Sequence, residues 1–134
     1  MKKTIAIAAL LFVASAGTAV AGTYSTLTTS APVAQRNVRG TAKVVIKPAA
    51  GYSINGDYPM KLTVVPPSGV TVEKTEQVRA DATSVSATGI EFTVAFTAST
   101  AGVKTLTGEA RYAVSSPSNT MPVSDKFSIN VQVQ

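Results

Sequence analysis

Ile90-Glu91-Phe92-Thr93-Val94-Ala95-Phe96-Thr97-Ala98 decides the fold class. Ile90, Phe92, Val94 and Phe96 fall on one side of an extended chain, and Glu91, Thr93 and Thr97 on the other. Side chains alternate across a strand with a period of two, so this pattern marks a half-buried antiparallel strand. The C-terminus repeats it, with Phe127, Ile129, Val131 and Val133 against Ser128, Asn130 and Gln132. Residues 106–114 set Leu106, Ala110, Tyr112 and Val114 against Thr107, Glu109 and Arg111. Upstream, Val44 and Ile46 oppose Lys43 and Lys47, and Met60, Leu62 and Val64 oppose Lys61 and Thr63. Val70 and Val72 open a weaker strand expected to run to Arg79, and residues 83–87 form another. Turn residues separate these segments at 48–57, Pro66-Pro67-Ser68-Gly69, Thr88-Gly89, Ala101-Gly102 and 115–122. About seven alternating strands in about a hundred residues predict an all-β fold, an immunoglobulin-like antiparallel β-sandwich. A small barrel is the alternative. One polar face per strand suits two sheets packed face to face.

Before the strands comes an export signature. Lys2 and Lys3 give a positive start, residues 5–13 an uncharged apolar run, and Ala19-Val20-Ala21 the small residues that a signal peptidase reads. Residues 1–21 are therefore expected to be a signal peptide cut after Ala21. The apolar stretch is short and rich in small residues, unlike a spanning helix of roughly 20 apolar residues. Residues 22–37 are rich in Thr, Ser and Ala and carry no acid. They read as a flexible tether or an edge strand, and residues 38–134 as the β-sandwich domain. The expected location is the periplasm, with an extracellular one left open and no stable membrane insertion after the leader is removed.

Composition narrows the chemistry. The chain has no Cys, no His and no Trp. The usual general base near neutral pH is thus absent, as are thiolate nucleophiles and the common ligands of zinc and copper. Beyond residue 21 the chain keeps 10 of 12 basic residues and all 7 acids, a net charge of +3. The basic residues are scattered rather than run together, which reads as a solvated surface and not as a nucleic-acid footprint. Asp57, Glu73, Glu76, Asp81, Glu91, Glu109 and Asp125 are the carboxylates that a small hydrolase would need. Glu91 and Glu109 fall on outward faces, solvated or paired with a basic neighbour, while Glu73 and Glu76 flank Lys74 as surface charge. Asn55-Gly56-Asp57 lacks the spaced oxygens and distal Glu of a calcium loop and reads as a turn taking positive φ. No cofactor and no metal are expected.

Within residues 44–70, Ile46-Lys47-Pro48 followed by Gly51-Tyr52-Ser53, and Val64-Val65-Pro66 followed by Ser68-Gly69-Val70, resemble the N-terminal periplasmic domain of the thiol:disulfide interchange protein DsbD family. Ile46-Lys47-Pro48-Ala49-Ala50-Gly51-Tyr52-Ser53-Ile54-Asn55 is similar to that family's strand, Pro and Gly-aromatic-His turn. Leu62-Thr63-Val64-Val65-Pro66-Pro67-Ser68-Gly69-Val70 is similar to its strand closing on a Pro-x-Gly-Val loop. Leu106-Thr107-Gly108-Glu109-Ala110-Arg111-Tyr112 looks like the strand leading to its first redox Cys. The resemblance spans roughly residues 41–133 and implies an immunoglobulin-like scaffold. It places the redox positions near Ser115 and Thr120, and Ser53 where the family commonly has His. None of these can pass electrons, so the resemblance implies the scaffold without the reaction.

The candidate binding surface is then one loop end of the sandwich: Tyr52, Asn55, Tyr58 and Pro59 from one loop, with Tyr112, Ser115 and Asn119 opposite. Tyrosine offers flat apolar area and a hydroxyl, and it recurs at binding surfaces. A second reading has Tyr52 and Tyr58 closing the end of the core and Tyr112 inside it. The expectation is a non-catalytic exported module that binds a periplasmic or envelope protein, with no nucleic-acid partner. The alternatives are a structural or assembly subunit that exchanges a strand, and a small carboxylate hydrolase. A homo-oligomer stays open.

Overall fold

The computed structural model describes residues 19–22 and 24–134. The charged start and apolar run of the expected leader lie outside the described residues. Twelve strands follow in order: β1 Ala19–Ala21, β2 Ser25–Thr29, β3 Val33–Ala34, β4 Gly40–Pro48, β5 Ser53–Ile54, β6 Lys61–Val65, β7 Val70–Val72, β8 Glu76–Val78, β9 Ser84–Ser86, β10 Gly89–Ala98, β11 Gly102–Ser115 and β12 Thr120–Val133. One 3₁₀ turn, Arg79–Asp81, is the sole helical element among the described residues.

The strands form two sheets. Sheet one runs β9-β10-β4-β2-β1, with β7 also on β10. Sheet two runs β3-β12-β11-β6-β8, with β5 also on β11. Every pairing is antiparallel except β3 with β12. The alternating residues meet between the sheets, as the sequence requires. Val44, Ile46, Ile90, Phe92, Val94 and Phe96 from sheet one face Leu62, Leu106, Tyr112, Ile129 and Val131 from sheet two, all buried. Gly108 lets β11 approach closely at the middle of sheet two. A Cβ there would overlap the Phe127 ring and the Thr63 carbonyl oxygen.

Three local outcomes differ from the sequence pattern, each for a physical reason. Val70 and Val72 do not begin a strand running to Arg79. The buried side chains change phase from even to odd numbers, Val70 and Val72 followed by Gln77. One strand cannot keep both on one face, so the chain leaves sheet one at exposed Glu73–Thr75 and joins sheet two as β8. The 115–122 turn shrinks to residues 116–119, because β12 already pairs with β11 at Thr120. Pro122 fits inside that strand because of which way its backbone faces. Its partner Ala113 turns its carbonyl away from β12, accepting the Asn55 N–H at 2.9 Å. Pro122 therefore lies at a position facing the open edge, where no donor is needed.

The third concerns Asn55-Gly56, which do not take positive φ. Among the described residues the single non-glycine with positive φ is Asn37, at 61°, where the chain turns from β3 in sheet two towards β4 in sheet one. Residues 22–37 carry β2 and β3. Leu27 is fully buried, and Ser25 and Thr29 are nearly so. Their hydroxyls bond across the sandwich. Ser25 Oγ lies 2.5 Å from Tyr112 Oη, and Thr29 Oγ1 donates to the Ser128 carbonyl at 3.0 Å.

Candidate functional site

The loop end expected to bind is assembled by two strand pairings. Ile54 and Ser53 of β5 pair with Val114 and Ser115 at the end of β11. This seats the loop after β5 against the β11–β12 turn. Asn55 then does three things. Its N–H bonds the Ala113 carbonyl at 2.9 Å. Its Nδ2 donates to Ser115 Oγ at 3.1 Å. Its Oδ1 accepts the Asp57 N–H at 3.0 Å, an Asx turn that needs no positive φ. The Tyr58 N–H reaches back to the Asn55 carbonyl at 3.3 Å. Across the hairpin, Ser115 stands directly opposite Thr120, with their hydroxyl oxygens 3.1 Å apart. Ser116 and Asn119 close the turn through both backbone and side-chain bonds.

The structure thus brings Asn55, Tyr58, Ser115 and the Asn119 turn to one end, with Pro59 exposed beside them. Tyr52 is half-buried and packs edge-on against Tyr24, ring centroids 5.3 Å apart. Tyr112 does not join the surface. It is 1% exposed. Its Oη donates to Asp125 Oδ2 at 2.8 Å and so accepts from Ser25. Burial, with the Asp125 carboxylate adding to it against the Ser25 bond, raises its phenol pKa well above the ordinary 10.0. Tyr112 ties β2 to β11 and β12, and it offers a partner no area.

Arg79 belongs to this end, and the sequence pattern did not reveal it. A Cβ on Gly56 would stand 3.4 Å from an Arg79 guanidinium nitrogen, so the cation lies over the Asx turn. The 3₁₀ turn that presents Arg79 is held by Asp81, whose Oδ2 accepts the Val78 N–H at 3.0 Å and whose Oδ1 accepts Lys74 Nζ at 2.7 Å. Those two bonds pull the Asp81 carboxyl below its ordinary range.

The other carboxylates are mostly engaged on the outer faces. Glu73 pairs with Arg39 at 2.6 Å, Glu76 with Lys61 at 2.8 Å and Glu91 with Lys43 at 3.6 Å. A shallow depression of about 430 Å³ on sheet two is lined by Thr63, Val65, Thr107, Glu109 and Lys126. Glu109 accepts a bond from Ser124 Oγ at 2.5 Å there. That bond, followed by the charges of Arg111 and Lys126, lowers its pKa. Asp81 and Glu109 are therefore biased towards the ionised form, opposite to what a general acid working near neutral pH requires.

No family model matches the chain, and no curated protein matches it in sequence. Solved structures do. The GAE domain of GGA2p from Saccharomyces cerevisiae aligns at a TM-score of 0.52 and 12% identity, covering 85% of this chain and 97% of that one. The chain is an immunoglobulin-like β-sandwich. AggA, the major subunit of aggregative adherence fimbriae type I from Escherichia coli, aligns at 0.43 and 10% identity, covering 82% and 94%. Murine CRIg aligns at 0.43 and 12%, covering 83% and 98%. At 12% identity the GAE-domain match carries the fold alone. No match to the thiol:disulfide interchange family stands beside it.

Proposed function

We propose that this sandwich is an exported, non-catalytic interaction module that engages a protein of the bacterial periplasm or envelope through the loop end built on β5 and the β11–β12 turn. The observation that carries the reading is the state of that end. Its backbone is fixed by the Asn55 bonds and the Ser116–Asn119 closure. Its outermost groups, Pro59, Arg79 and Asn119, stay exposed, and Tyr58 is half-exposed. A surface already held in one shape loses little entropy on binding, which is the general route to affinity from a small patch. Tyrosine and arginine are also the side chains that dominate such patches.

The absence of His and Cys and the lowered carboxylates support a role without catalysis. Descent from the interchange family is the finer reading. Ser115 and Thr120, the positions where the resemblance puts the redox cysteines, face each other in register. Such a scaffold keeps a docking end and drops the electron transfer.

The test is capture from a periplasmic extract with the exported chain, compared with Tyr58→Ala/Arg79→Ala. Loss of a specific partner in the double variant, at unchanged thermal midpoint, is the expected result. Equal capture by both forms removes the loop end from consideration, and activity on generic ester or glycoside substrates that vanishes with one carboxylate overturns the non-catalytic reading.

A further inference from the structure

We propose that β2 is a dimerisation edge that leader removal uncovers, and that in the exported chain it pairs antiparallel with β2 of a second copy. The inference rests on the export part of the proposed function. β1 is Ala19–Ala21, and the expected cut follows Ala21. β1 is the strand that covers the outer edge of β2, with Val20 opposite Leu27. Cutting there detaches the edge strand of sheet one from the domain it covers.

The backbone of β2 shows which groups are then bared. The Ser30 N–H bonds Lys43 of β4, and the Ala49 N–H bonds the Tyr24 carbonyl, so even-numbered residues face inward along the sheet. Odd-numbered ones face β1, as the Gly22 N–H to Ser25 carbonyl bond at 2.8 Å confirms. Without β1, the N–H and C=O of Leu27 point at an open edge. Unpaired edges invite another strand unless they are guarded.

The remaining edges are guarded and this one is not. On β12, Pro122 supplies no donor, Lys126 adds charge, the Ser128 carbonyl already accepts Thr29 Oγ1, and β3 closes the far end. β7, β8 and β9 are three residues each. β2 reads Ser-Thr-Leu-Thr-Thr, with no proline and no charge.

The same sequence says what fits. An antiparallel pair centred on Leu27 places Leu27 opposite Leu27 as a mutually bonded pair, in the place Val20 holds. Thr26 of one copy then faces Thr28 of the other on the exposed face, a favourable cross-strand pair with no like-charge repulsion at the seam. The two-fold closes, so the product is a dimer and not a filament.

The experiment uses chain recovered after export, its N-terminus read by mass spectrometry and its mass in solution followed through a dilution series. Thr26→Lys/Thr28→Lys and Thr26→Glu/Thr28→Glu change exposed side chains only. A chain starting at Gly22 should be dimeric, each double variant monomeric, and their equimolar mixture dimeric again. A chain starting at Gly22 that stays monomeric, or whose dimer ignores the lysines, overturns the proposal and leaves export standing. A monomer whose different protein partner is lost in the lysine variant assigns the edge to that partner instead. A chain that keeps Ala19–Ala21 overturns both, since the edge never opens.

Discussion

Leu27→Ala measures whether the N-terminal segment belongs to the cooperative unit. Leu27 is the single large aliphatic side chain of β2 and is fully buried in the main core. The substitution removes three carbons. At about 0.8 kcal/mol per buried methylene, the lost transfer energy is about 2.4 kcal/mol. A residual cavity of roughly 50 Å³ adds about 1 kcal/mol at ~24 cal/mol per Å³. The sum, about 3 kcal/mol, is a large part of the ~5–15 kcal/mol that holds a typical domain together. At about 4–8 °C per kcal/mol it lowers the thermal midpoint by more than ~10 °C. Urea titration of the wild type, Leu27→Ala and the exposed control Thr26→Ala reads this directly. The control should stay within about 0.5 kcal/mol. A Leu27→Ala loss below about 1 kcal/mol with an unchanged urea slope would mean that β2 detaches before the sandwich unfolds, and the strand assignment would fail.

Three further outcomes follow from the same geometry. Tyr112→Phe leaves the buried Ser25 hydroxyl without its partner and should destabilise by about 1–3 kcal/mol in denaturant titration. It should also abolish an alkaline transition. The folded-state pKa of Tyr112 is raised, so its contribution is fully present below the unfolded value near 10.0 and is lost as pH climbs above it, at about 1.4 kcal/mol per pH unit; urea midpoints with the same alkaline slope in both proteins refute this. Gly108→Ala forces a methyl into the Phe127 ring and the Thr63 carbonyl, an overpacking of about 3 kcal/mol, read as a fall in soluble yield and midpoint; wild-type stability would show that β11 sits further from β6 than described. Ser115→Cys/Thr120→Cys places thiols on facing residues and should close a disulfide on air oxidation, adding about 2 kcal/mol for so short a loop; thiols that stay free by mass and titration would place the hairpin in another register.

The strands with large alternating side chains were legible because burial there needs no distant help. Ile90 to Phe96 and Phe127 to Val133 each announce a wet and a dry face within a few residues. β2 hides because two of its three inward positions are Ser25 and Thr29. A buried hydroxyl looks polar in the sequence. What permits its burial is a partner far away, Tyr112 at a separation of 87 residues and the Ser128 carbonyl at 99. The length of β12 hides behind Pro122 for a similar reason, since only the neighbouring strand tells which way the missing donor would have pointed. At the loop end, Asn55 and Ser115 were nameable by type, but the bond joining them spans 60 residues. Arg79 had no pattern to mark it, because its place depends on the strand break after β7.

A sandwich packed this way leaves function to its periphery. Among the described residues, the interior between the sheets holds apolar side chains and three nearly buried polar ones, Ser25, Thr29 and Gln77. Each of these is committed to a structural bond, the last through Gln77 Nε2 to the Thr93 carbonyl at 2.9 Å. Freeing any of them for chemistry would strand a buried donor or acceptor, which destabilises more than a lone surface contact could restore. Selection for a new role is thus confined to groups that bind without unmaking the sandwich. The loop end meets that condition because its internal bonds use Asn55 and Ser115 and leave Pro59 and Arg79 at the surface. The β2 edge meets it in a different way, because pairing there adds main-chain bonds to a sheet already complete on its other side. A partner at the loop end would read side chains, whereas one at the edge would read mainly backbone. Substitutions at Tyr58 and Arg79 should therefore leave dimer mass unchanged, and lysines at 26 and 28 should leave partner capture per chain unchanged. Cross-effects between the two would require the sandwich to transmit strain from β2 through Tyr112 to the β11–β12 turn, and Tyr112→Phe is the variant that would break such a link.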